Sequence, residues 1–186
     1  IRGFENLIED MKRGQGELDI STTRYDAFEV GKNLAITPGK VVYENELMQL
    51  IQYTPSTDKV FKRPLMIIPP WINKYYILDL QPKNSFIKWL LEQGHTVFVL
   101  SWVNPNKKLA QRRFEDYMED GVLSALDHIK TRTKEPDVNA IGYCLGGTLL
   151  TITLSYLVEK KQQKRIASAT FLTTLIDFEK AGDLKL

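Results

Sequence analysis

The stretch Val138-Asn139-Ala140-Ile141-Gly142-Tyr143-Cys144-Leu145-Gly146-Gly147-Thr148-Leu149-Leu150 decides the fold. Val138 to Ile141 reads as a short buried strand, and Thr148 to Val158 reads as a helix. Between them, Gly142-Tyr143-Cys144-Leu145-Gly146-Gly147 places the only cysteine of the chain among three glycines. A strand, a Gly-x-nucleophile-x-Gly turn and a helix make a nucleophile elbow, here with cysteine where serine is usual. A turn this tight holds its central residue in a strained conformation, so the flanking positions must lack bulk. The helix that follows aims its first amides at the sulfur and favours negative charge developing there. A lone buried cysteine is often only a small apolar residue. The agreement of strand, glycines and helix favours the reactive reading. A dinucleotide loop fails on spacing, because Cys144 stands where G-x-G-x-x-G needs glycine.

Outward from the elbow, strands alternate with helices. Leu65-Met66-Ile67-Ile68, closed by Pro69-Pro70, is an apolar run of the kind buried on both faces of a parallel sheet. Asn84 is positioned to cap a helix through Gln93, with Phe86, Ile87, Leu90 and Leu91 inward and Gly94 ending it. Thr96 to Trp102 reads as a second buried strand. Phe114, Tyr117, Met118, Gly121, Val122, Ala125, Leu126 and Ile129 keep helical spacing for more than four turns. Ala167 to Thr173 reads as a further apolar strand, of the composition buried on both faces, which a sheet ending there would leave as an open edge. Upstream, Val41–Glu44 and Glu46–Thr54 suggest a hairpin, after an irregular stretch with a Pro38-Gly39 turn. Phe4, Leu7, Ile8 and Met11 share one face of a short helix, read as a packing face rather than a membrane or granule contact. The expected architecture is α/β, an incomplete α/β-hydrolase fold whose mostly parallel sheet has helices on both faces and lacks its last strands. Its expected divisions are an N-terminal helical and irregular region at 1–40, a partial hydrolase core at 41–174 and the start of a lid at 175–186.

Composition narrows the function. The chain has 186 residues, 43% hydrophobic and 26% charged, as in an ordinary globular domain. A formal charge of +2 does not suit nucleic acid, and the densest basic run, Lys160 to Arg165, reads as the cationic end of a helix. One cysteine permits no internal disulfide, which fits a reducing compartment. No apolar run has the length of a membrane span, and no signal peptide opens the chain. Ile1 is not an ordinary initiator, so the numbering is expected to begin inside a longer product.

Five blocks carry a family resemblance. They are Thr37-Pro38-Gly39-Lys40-Val41-Val42, Pro69-Pro70-Trp71-Ile72-Asn73-Lys74-Tyr75-Tyr76-Ile77-Leu78-Asp79-Leu80, Gly94-His95-Thr96-Val97-Phe98, Ser101-Trp102-Val103-Asn104-Pro105 and the cysteine elbow. In this order they resemble polyhydroxyalkanoate synthases, most of all the single-subunit, class I type that prefers short hydroxyacyl groups. The resemblance implies an acyltransferase that polymerises (R)-3-hydroxyacyl-CoA and releases coenzyme A. It also implies the growing polyester and the polymer granule surface as partners, a cytoplasmic location at the granule, and a possible homo-oligomer. No cofactor and no metal are expected.

The residues suit that chemistry. A thiolate attacks a thioester to give another thioester, so the acyl group is not stranded as it would be on serine. The oxyanion needs two backbone donors. Elbow geometry gives one as the amide of Leu145. The other is expected from the loop after Pro69-Pro70, at Ile72. In this fold the acid and histidine follow the nucleophile, yet no histidine lies after Cys144. His95, His128 and Asp177 read as structural. The resemblance puts the family's acid and histidine further downstream, so the chain is expected to be an amino-terminal portion with little or no activity alone. A cysteine-dependent thioesterase or depolymerase of the same fold is a second reading, and a non-catalytic remnant or interaction module a third. Tyr75 and Tyr76 read equally as acyl-tunnel lining or core, Asp79 as a local cap or pairing group without catalytic role, and Trp102 with Asn104-Pro105 as neighbours of the site.

Overall fold

A computed structural model describes residues 1–22 and 26–179. Its centre is a six-stranded sheet in the order β1-β2-β4-β3-β5-β6. The strands are β1 (Gly39–Glu44), β2 (Met48–Tyr53), β3 (Leu65–Ile68), β4 (Val97–Trp102), β5 (Val138–Tyr143) and β6 (Ile166–Leu172). β1 pairs antiparallel with β2, and β2 antiparallel with β4. β4, β3, β5 and β6 run parallel. The expected hairpin is therefore present, although Gly39 belongs to β1 rather than to a turn. Before the sheet, α1 (Arg2–Arg13) leads into the irregular segment.

Strand pleating sorts the core onto two faces. Met66 and Ile68 of β3 join Phe98, Leu100 and Trp102 of β4 on one face, under the helices that follow β4 and β5. Leu65 and Ile67 join Val97 and Val99 on the other, under α2 (Phe86–Glu92). All four residues of β3 are buried, which explains its unbroken apolar run. Each such side chain contributes roughly 1.5–3 kcal/mol by leaving water. Helices cover both faces, as the alternation implies.

Three local expectations are corrected. The cap of α2 is Ser85, whose Oγ accepts from the Lys88 amide at 2.9 Å, not Asn84. Asp79, buried to 1% exposure, selects Ser85 by accepting its hydroxyl at 2.5 Å while also binding the Thr37 hydroxyl at 2.6 Å. The long helix after β4 is not uniform: α3 (Phe114–Asp116) passes through a π-helical stretch, Tyr117–Leu123, into α4 (Ser124–Thr133). Gly121 in that stretch lies on Trp102, and a Cβ there would stand 2.7 Å from the ring. β6 is apolar but mostly exposed, the open edge expected of the outermost strand of the described sheet. The apolar stripe of α1 is likewise uncovered among the described residues, with Phe4, Leu7, Ile8 and Met11 exposed. Residues 180–186 of the expected lid segment lie outside the described residues.

Candidate active site

β5 ends at Tyr143 and α5 (Leu145–Glu159) begins one residue after Cys144, so strand and helix meet at the cysteine. Cys144 has φ 53° and ψ −124°, a conformation that L-residues rarely occupy and that persists only where the surroundings enforce it. Its amide donates to the Leu172 carbonyl at 2.9 Å, and its carbonyl accepts from Gly147 at 2.9 Å and Thr148 at 3.3 Å. The amides of Leu145 and Gly146 are the other two of the first helical turn, where intrahelical partners are missing by construction. The sulfur-bearing side chain is half-buried rather than sealed in the core.

The flanking glycines have separate steric duties. A Cβ on Gly142 would overlap the Gly147 Cα. One on Gly146 would overlap the Ile68 carbonyl oxygen and stand 2.7 Å from that of Pro69. One on Gly147 would run into Thr174. Gly146 therefore lets the start of α5 press against the end of β3, which brings the loop after Pro69-Pro70 to the elbow. That loop is tied from the other side by β4: Trp102 Nε1 donates to the Pro69 carbonyl at 2.7 Å, and Lys74 Nζ donates to Asn104 Oδ1. Trp102 and Asn104 thus act on the site loop, as their position at the end of a parallel strand implied. Ile72 lies in this loop with its side chain 80% exposed, so any role of that position falls to its backbone.

Beside the elbow, Trp71, Pro105, Arg112, Arg113, Phe114, Tyr117 and Leu145 line an open cavity of about 350 Å³. Trp71 is the hub of its aromatic wall. Its ring stacks on Trp102 with centroids 5.4 Å apart and meets Tyr117 edge-on at 5.1 Å and Phe114 at 5.7 Å. Sequence reading missed Trp71, Arg112 and Arg113 as lining a cavity together with Leu145. The signal available was Gly121 within a helical pattern, which permits the π-helical stretch to approach Trp102 closely.

The other candidates lie elsewhere or in structural roles. His95 precedes β4 and so sits where the parallel strands begin, against Phe61 at 5.1 Å. His128 stacks on Tyr43 with centroids 3.6 Å apart. Asp177 accepts the Glu179 amide at 2.9 Å. Tyr75 and Tyr76 meet edge-on at 5.6 Å, and Tyr75 packs against the second core face. Asp79 binds Thr37 and Ser85 and is a structural clamp. Burial and the nearby Asp79 charge raise the Tyr75 hydroxyl above its ordinary pKa.

Comparison with known proteins bears on this geometry. The family described as "Poly-beta-hydroxybutyrate polymerase (PhaC) N-terminus" matches residues 1–90. A poly(3-hydroxyalkanoate) polymerase of Methylorubrum extorquens is 53% identical over 186 residues, covering 100% of this chain and 31% of the relative. One from Rhizobium etli is 52% identical over 186 residues, covering 100% of this chain and 29% of its own length. One from Cupriavidus necator is 46% identical over 182 residues, covering 98% and 30%. The chain thus spans about 30% of the length of these curated relatives. Among solved structures, a fungal esterase of Rhizomucor miehei superposes with a TM-score of 0.57 at 14% identity, over 78% of this chain and 46% of that one. A sugar hydrolase from Lactococcus lactis gives 0.56 at 18%, over 76% and 55%. These likenesses speak for the fold alone, which is that of α/β hydrolases.

Proposed function

Because the sequence belongs to the poly(3-hydroxyalkanoate) polymerase family, we propose that this chain carries the nucleophile of an acyltransferase that builds polyhydroxyalkanoate from (R)-3-hydroxyacyl-CoA. The observation that carries the reading is Cys144 held at positive φ between β5 and α5, with glycines where side chains would collide. The Cys144 thiolate attacks the thioester carbonyl, and the tetrahedral oxyanion is held by the amides of Leu145 and Ile72. The bond to the coenzyme sulfur breaks, coenzyme A leaves and takes a proton, and the acyl group stays on Cys144. The hydroxyl of a hydroxyacyl unit then attacks that new thioester, gives up its proton, forms the ester and frees the sulfur.

The second half of the cycle needs a base for the attacking hydroxyl. Neither His95 nor His128 is placed to serve, one at the opposite strand ends and the other stacked on Tyr43. The catalytic acid and histidine are therefore assigned to sequence outside these 186 residues, and the chain alone is expected to accept an acyl group without turning over steadily. Incubation with (R)-3-hydroxybutyryl-CoA followed by intact-mass measurement tests this. One hydroxybutyryl adduct, absent in Cys144→Ala, is expected. No adduct, or an adduct at another residue, overturns the assignment. Rapid release of free hydroxy acid would instead favour a thioesterase.

A further inference from the structure

The cavity beside the elbow carries an unusual charge arrangement for a site that handles a neutral polyester. Two arginines line it. Arg112 is already committed, with Glu46 at 2.6 Å and Asp120 at 3.3 Å. Arg113 differs. Its backbone amide donates to the Asp116 carboxylate at 2.6 Å, but its guanidinium has no ion-pair partner among the described residues. It is exposed at the rim, next to the exposed edge of Phe114. The same cavity is also lined by Leu145, the residue after Cys144. The cavity therefore joins the residue after Cys144 and an uncommitted cation in one lining, together with the apolar rings of Trp71, Phe114 and Tyr117.

A ligand matching that set of surfaces has an acyl thioester, an uncharged arm and an anion. A polyester has no anion to offer. A nucleotide-bearing thioester carrier does. We propose that Arg113 is a specificity-determining residue that binds a phosphate group of the coenzyme A carrier, while its pantetheine arm lies along the Trp71–Tyr117 wall. The inference rests on the reading of Cys144 as the acyl acceptor. A guanidinium presents several fixed donors to phosphate oxygens, so an arginine suits this role better than a lysine. Glu46 and Asp120 neutralise Arg112 and keep it from competing, and Glu115 beside Arg113 remains exposed to solvent.

Calorimetric titration of the full 186-residue chain with coenzyme A and with phosphate-free pantetheine tests the assignment. Coenzyme A is expected to bind about tenfold more tightly at low salt, in the range of a charge-assisted hydrogen bond. Arg113→Ala is expected to bring the two affinities together, and Arg113→Lys to restore part of the difference. Equal affinities in the unaltered chain, or an advantage for coenzyme A that survives Arg113→Ala, would overturn it. Acylation of Cys144 by hydroxybutyryl-pantetheine separates the two levels. If that phosphate-free substrate labels Cys144 equally in both proteins while the affinities ignore Arg113, the carrier site falls and the nucleophile stands. If no thioester labels Cys144, the underlying reading falls with it.

Discussion

The two ends of the parallel strands differ in kind. Where β3, β4 and β5 begin, Phe61, Lys62, Arg63, His95, Glu135 and Asp137 help line a cavity of about 520 Å³. Arg63 grips Asp137 with distances of 2.5 and 3.3 Å, and Lys62 lies 3.6 Å from Glu135. Where the strands finish, the cavity is smaller, at about 350 Å³. Yet that end holds the strained cysteine, the three obligatory glycines and a loop fastened by Trp102 and Lys74. Volume therefore does not mark the proposed site. Enforced backbone strain does, at the strand ends where such sheets carry their ligands.

The largest expected contrast comes from one methyl group placed at each end. Gly146→Ala drives a Cβ into backbone carbonyls that cannot move aside, and is expected to cost about 4 kcal/mol or prevent folding. Gly94→Ala, at the other end, meets nothing closer than 3.5 Å and suffers only its positive φ, for about 1 kcal/mol. Urea unfolding of both variants ranks them, and a reversed order would break the contrast. Next, Ile72→Pro removes an amide from the fastened loop and is expected to slow single-turnover acylation of Cys144 by roughly 100-fold, about 3 kcal/mol. Ile72→Ala should leave that rate nearly unchanged, since the side chain points to solvent. Third, the strain at Cys144 is open to direct measurement. Cys144→Gly is expected to be more stable than Cys144→Ala by ~1–2 kcal/mol, the reverse of the usual preference in helices.

Two smaller effects belong to the far end. Tyr53, at the end of β2 beside that region, has its pKa raised first by burial and then by the charge of Asp79. The folded chain keeps this proton after the unfolded chain has lost it. Stability is thus fully present below about pH 10 and falls as pH climbs toward the folded value. Tyr53→Phe should flatten that alkaline decline, as thermal melts across pH would show. Smallest of all, Arg63→Ala is expected to leave Cys144 acylation untouched and to shift unfolding little, because the pair is screened by solvent. A marked loss of acylation in this variant would couple the two ends and remove the distinction between them.

How much of this was legible in the chain depends on how local the cause is. The elbow could be read because the demand for glycine on both sides of the nucleophile arises within six residues. β3 and β4 could be read because burial on both faces leaves an unbroken apolar run. The α2 cap could not, since Asn84 and Ser85 are both good caps and Asp79 and Thr37 decide between them. The π-helical stretch escaped because a helical count over Phe114 to Ile129 tolerates one extra residue per turn. The open edge at β6 could be read too, because its composition is that of a buried strand while no further strand follows it among the described residues. The aromatic wall of the site depends on Trp71, Trp102 and Tyr117 meeting from three separate elements, which no spacing rule connects.

The segment after β6 has a consequence in time as well as space. Leu172 accepts the Cys144 amide, Thr174 fills the notch left by Gly147, and the Leu175 carbonyl receives the Thr148 hydroxyl at 2.8 Å. During synthesis the sulfur leaves the ribosome well before these residues do. Until they follow and dock, the bend lacks these three contacts, so the strained geometry of Cys144 is expected to set only late in synthesis.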